Sequence, residues 1–113
     1  MSKHFVPTDK IYTIEEITET VAKIVEGRGV KKVILFNDYA IGEADENSHI
    51  DLAIDMGEWN RVKFSRLRGT LWNTFEKIVG FFDLNDLEDY SHYEEGELEE
   101  EIRETGRLIY ESN

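Results

Sequence analysis

The chain is 113 residues long, which fits one domain spanning residues 1–113 and excludes two full catalytic domains. With 40% hydrophobic and 12% aromatic residues it can build a core, and without cysteine it forms no disulfide, thiolate nucleophile or Cys-ligated zinc site. The formal net charge of −12 is unevenly placed: residues 81–113 carry 12 Asp and Glu against Arg103 and Arg107, while residues 1–80 are nearly balanced. That distribution argues against a broad basic face for nucleic acid and against an anionic membrane surface. The apolar runs, such as residues 33–36, are too short to span a bilayer, and no secretory signal is legible, so a cytoplasmic protein is the expectation.

The first element expected is a helix. Thr13-Ile14-Glu15-Glu16 has the pattern of a capping box, and Ile14, Ile17, Val21, Ile24 and Val25 fall on one helical stripe that should stop near Gly27 and Gly29. Residues 30–36 form a β-branched run that predicts a buried strand. Residues 37–47 are mostly polar and have room for one short helical turn, which Asp38 could cap. Residues 49–55 alternate, with Ile50, Leu52 and Ile54 on one face and His49, Asp51 and Asp55 on the other.

From about Asn60, Leu67, Leu71, Phe75 and Val79 recur every fourth position and predict a second long helix closed by Gly80. Residues 81–84 predict a third strand, the acidic residues 94–104 a further helix stopped near Gly106, and residues 108–110 a terminal strand. The expected fold class is a small α/β (α+β) domain, a mixed sheet with helices packed on it. Trp59 and Trp72 read as core or interface residues, Trp72 at the edge of the second stripe, while His4 and His92 lack any metal-ligand spacing and read as surface.

Carboxylates on adjacent strands are what a two-metal phosphoryl-transfer site needs, together with a loop that turns backbone N–H groups toward a triphosphate. The strand at 30–36, the loop at 37–47 and the strand at 49–55 have that layout. Asn37-Asp38, then ten residues, then His49-Ile50-Asp51 resembles the minimal nucleotidyltransferases of the DNA polymerase β-like superfamily, whose motif is Gly-Ser, ten residues, Asp-x-Asp. The Thr13-capped helix before it, and Glu104-Thr105-Gly106-Arg107-Leu108-Ile109-Tyr110-Glu111 after it, are similar to the family's first helix and its closing Glu-Gly-x-x-x-Tyr-Glu stretch.

The resemblance implies a nucleotidyltransferase fold, nucleoside triphosphate bound at Asn37 and Asp38, and Mg2+ on His49, Asp51 and a third carboxylate. Asp83 is the match for that third position, with Asp51 and Asp83 as the catalytic carboxylates; an alternative register puts Gly80 there. Family members occur beside small helical HEPN proteins as antitoxins, and some transfer AMP to the partner, so a HEPN-type partner is also implied.

The departures oppose the family's electrostatics. Asp38 adds negative charge where a triphosphate sits, Asn37 adds a side chain where glycine leaves room, and His49 is a poor magnesium ligand. Weak or absent NMP transfer is therefore expected. The competing readings are an antitoxin-like binding subunit and an active-site variant of an AMP-transferring enzyme. The acidic run at 94–104 reads as a solvated helix face or a docking surface.

Overall fold

The computed structural model describes residues 6–58, 60–87, 94 and 96–112. His4, Trp59 and His92, and Glu95 within the acidic run, lie outside the described residues. The predicted capping box forms: the Glu16 N–H donates to Thr13 Oγ1 and the Thr13 N–H donates to Glu16 Oε1, both at 3.0 Å. It opens helix α1 (Ile14–Val25), whose stripe of Ile17, Val21 and Val25 is fully buried. Strand β1 (Lys32–Phe36) follows, then the single turn α2 (Asp38–Ile41) and strand β2 (Ile50–Asp55). After these come α3 (Arg61–Phe75), β3 (Val79–Asp83), α4 (Glu97–Thr105) and β4 (Arg107–Glu111).

The four strands form one sheet in the order β3-β2-β1-β4. β1 runs antiparallel to both β2 and β4, while β2 and β3, joined through α3, run parallel. Strand alternation divides the core. Val33, Leu35, Ile50, Leu52, Ile54, Val79 and Phe81 face α1 and α3, where Leu67, Leu71 and Phe75 complete the main cluster. On the opposite face Phe36 and Ala53 meet Leu98 of α4, with Ile34, Phe82 and Ile102 packed around them. The sheet is mixed with helices packed on it, as expected, and the helices cover both of its faces.

Two expectations shift in register. α3 stops at Phe75, and Gly80 lies inside β3 rather than closing the helix. The helix ends because Glu76 turns to a left-handed backbone (φ 54°) and its freed carbonyls find partners elsewhere. Tyr12 Oη donates to Phe75 O at 2.7 Å, and the Thr8 N–H donates to Glu76 O at 2.6 Å. Lys77, buried to 2% exposure, donates from Nζ to the carbonyls of Thr8 and Glu46, both at 3.0 Å. The fourfold stripe ran on through Val79 because a strand residue happened to continue it. Trp72 sits at the helix edge as placed, its Nε1–H donating to Val79 O at 2.8 Å.

Candidate functional site

The motif residues meet where β1 ends and β2 begins. Asn37, Asp38, His49 and Asp51 are brought together there, because β1 and β2 pair antiparallel with Phe36 opposite Asp51. Asn37 holds φ 64° and ψ −147°, a backbone conformation open to glycine and costly for other residues. That conformation carries the chain from β1 into α2, whose N–H groups of Ala40 and Ile41 donate back to Asn37 O at 2.9 and 3.3 Å. Asn37, not Asp38, occupies the cap position, and its side chain is turned away from the helix.

That side chain bridges two carboxylates. Asn37 Nδ2 donates to Asp51 Oδ2 at 3.0 Å and to Glu101 Oε2 of α4 at 3.3 Å. The Asn37 N–H donates to Thr105 Oγ1 at 2.8 Å, and that hydroxyl donates to Glu101 O at 2.7 Å. α4 is therefore tied across the cradle by its last two turns. Asp38 is exposed and accepts from Ser48 Oγ at 3.3 Å. Ser48 also receives the Asp45 N–H at 2.9 Å, so the loop between α2 and β2 folds around its own serine and aspartates.

Asp51 lies half-buried within this network. Burial pushes its carboxyl above the ordinary aspartate range, and the charges of Glu101 and Asp38 push the same way; the Asn37 amide and the nearby His49 pull it down. Asp55, farther along the same face, moves the other way. Burial raises its carboxyl, but this is outweighed by the Asn85 amide and the Gly57 N–H, both at 2.8 Å, and by the charges of Lys31 and Lys32.

The third carboxylate position is settled by strand register. β3 pairs Gly80 with Asp51 and Asp83 with Ile54. Asp83 is three residues, about 10 Å, along the strand and falls on the opposite face by the twofold alternation. Its Oδ1 accepts the Asn85 N–H at 3.0 Å. The expectation that Asp83 joins His49 and Asp51 is thus corrected: the residue beside Asp51 is Gly80, and a Cβ there would collide with Asp51 Oδ1 and come within 3.0 Å of the Phe82 ring.

Among the described residues no group of three or more His, Cys, Asp or Glu is arranged to hold a metal ion. Asp51 is engaged by an amide, His49 is exposed on the chain entering β2, and Gly80 offers no ligand. This donor set does not fit magnesium, which wants several hard oxygens in near-octahedral array.

Sequence reasoning offers Gly80 only as the alternative register for the third position and does not single out Glu101 or Thr105 as site residues. Glu101 is hidden within a run of glutamates that reads as a solvated face, and only its i, i+4 spacing to Thr105 sets it apart.

Comparison with known proteins agrees with this architecture. The family model "Polymerase beta, Nucleotidyltransferase" matches residues 15–113. No curated protein sequence matches the chain significantly. Among solved structures, a toxin–antitoxin with AMP-PNP superposes with a TM-score of 0.66 at 17% identity, covering 85% of this chain and 74% of that one. A mutant MntA–HpeT toxin–antitoxin matches with a TM-score of 0.66 at 16% identity over the same shares, 85% and 74%. A tri-AMPylated Shewanella oneidensis HEPN toxin in complex with MNT antitoxin gives 0.59 at 14% identity, covering 84% and 70%. At these identities the likeness is one of fold, and the family model over most of the length decides the assignment: the chain belongs to the polymerase β nucleotidyltransferase family.

Proposed function

We propose that this chain is a protein-binding member of its family that pairs, antitoxin-like, with a helical HEPN-type partner and does not carry out metal-dependent NMP transfer at its motif. The observation that carries the second half is the hydrogen-bonded bridge Asp51–Asn37–Glu101 with Gly80 alongside. One motif carboxylate remains, it is held by an amide, and two more negative side chains stand where a triphosphate would have to approach. Support for the partner comes from fold neighbours solved as HEPN toxin complexes. A fold retained without its chemistry is a common outcome, because folding depends on core positions and transfer on a few site residues.

The test is co-expression with a HEPN-type protein encoded beside this chain, followed by incubation with radiolabelled ATP and magnesium. A stable complex without AMP transfer is the expected result. The triple change Asn37→Gly, Asp38→Ser and His49→Asp restores the family motif, yet transfer should still need Gly80→Asp, for which Asn37→Gly first frees the Asp51 carboxylate to move aside. Robust AMP transfer by the unaltered chain contradicts the proposal, as does failure of the two proteins to associate.

A further inference from the structure

At the opposite end of the sheet from the motif, a hollow of about 410 Å³ opens between the turn after α1 and the start of α3. Arg28, Lys63 and Arg66 stand around it over a floor of Met56 and Leu67. An adjoining hollow of about 550 Å³ shares Arg28, Met56 and Lys63 and brings in Lys31, Glu58 and Asn60. In a chain of net charge −12 this gathering of cations is local, with Glu58 the carboxylate lining the two hollows. Arg28, Lys63 and Arg66 are all exposed, and among the described residues none of them is in an ion pair. Gly27 and Gly29 hold φ 77° and 78°, and a Cβ on either would meet nothing within 4 Å, so the backbone beside Arg28 borders open space.

A second, independent feature points the same way. α3 is 15 residues long, carries no acidic residue in its first turn and places Arg61 and Lys63 there instead. The N-terminal end of a helix is its positive end and favours acidic side chains. Two cations at that end oppose the preference, and among the described residues neither is in an ion pair. A local rule broken without internal compensation is the mark of a site shaped for something else.

We propose that this groove binds a compact phosphate-bearing organic anion, its phosphates on Arg28, Lys63 and Arg66 and its apolar part over Met56 and Leu67. Guanidinium forks match phosphate oxygens with paired hydrogen bonds, and the helix end adds to the same field. The ligand is compact because Glu58 lines the adjoining hollow, and an extended polyanion would run onto it. The site is separate from the motif, and the inference does not rest on the reading given under Proposed function.

The test is calorimetric titration of the whole chain with ATP, and separately with inorganic tripolyphosphate, in low salt and EDTA. The chelator keeps metal-dependent binding at the motif out of the measurement. Both probes should bind saturably, ATP more tightly because it alone covers the apolar floor. Lys63→Gln with Arg66→Gln should weaken both by about tenfold or more, whereas Lys23→Gln on α1 should change them less than about twofold. The double variant should melt no lower than the parent without ligand, and should lose the rise in melting temperature that ATP gives the parent. Absence of saturable binding to the unaltered chain overturns the proposal, as does undiminished affinity in the double variant. Equal affinity for the two probes overturns the assignment of the floor.

Discussion

Asn37 is the residue on which the cradle turns. Its backbone conformation costs a non-glycine residue roughly 1–3 kcal/mol, and two side-chain hydrogen bonds hold it there, each contributing about 0.5–1.5 kcal/mol. Asn37→Ala keeps the strained backbone and loses both bonds, so it should destabilise the fold by about 1–2 kcal/mol in urea titration. Asn37→Gly loses the same bonds but relieves the strain, so it should be more stable than Asn37→Ala by about 1 kcal/mol or more. An order of stability with alanine above glycine would contradict the strained conformation.

Asp51 carries the complementary expectation. Its folded-state carboxyl titrates above the unfolded value, so the charged form costs stability at neutral pH, and the cost is relieved as pH falls through the raised value. Asp51→Asn should therefore raise the melting temperature at pH 7, with the gain shrinking toward zero below about pH 4. Asp55, held below its usual range, contributes stability above that range and loses it on acidification, so Asp55→Asn should lower the melting temperature at pH 7. Melting curves of both variants across pH check the two signs in one experiment.

Among the elements, α4 links the second core cluster to the site. Leu98 and Ile102 pack on Phe36, Ala53 and Ile34, and one turn later Glu101 and Thr105 reach Asn37. The chain passes from α4 to β4 through Gly106, where an added Cβ would collide with Ile102 O and stand 3.0 Å from Ile34 Cγ2. Gly106 has an ordinary extended backbone, so the conflict is one of space alone. Gly106→Ala should cost about 1–3 kcal/mol by chemical denaturation, the usual cost of overpacking. A loss below a few tenths would show that α4 can lift away without strain.

The elements were largely legible in the sequence because their periods are strong: the stripe of α1, the alternation of β2 and the β-branched run of β1 each allow one reading. The end of α3 was not, since Val79 prolonged a helical period by coincidence and the true stop depends on Tyr12, Thr8 and Glu46 from distant segments, the last two bound by Lys77. Register across β2 and β3 was likewise unreadable: parallel strands joined by a helix carry no local signal of which residues pair. That is why Asp83 looked eligible and Gly80 stands in its place.

On the scale of the whole molecule, charge is divided by position. The acidic C-terminal third places α4 over the motif face, while Arg28, Lys63 and Arg66 gather at the far end of the sheet. Chain-order sums hid that gathering, since its residues are spread over the first 80 positions and nearly cancelled there by carboxylates of which, among the described residues, only Glu58 lines the hollows. A molecule so divided presents negative charge to anything approaching the cradle, which suits a basic protein partner better than a free triphosphate.

The proposed function requires that the motif hold no metal–nucleotide complex. Calorimetric titration of ATP into the unaltered chain, with and without magnesium or manganese, tests it most directly. The metal should leave nucleotide affinity unchanged or lower it, because metal-bound ATP carries less charge to the distant basic groove. A rise of about tenfold or more on adding either metal would show that His49 and Asp51 still build a working site, and would overturn the proposed function.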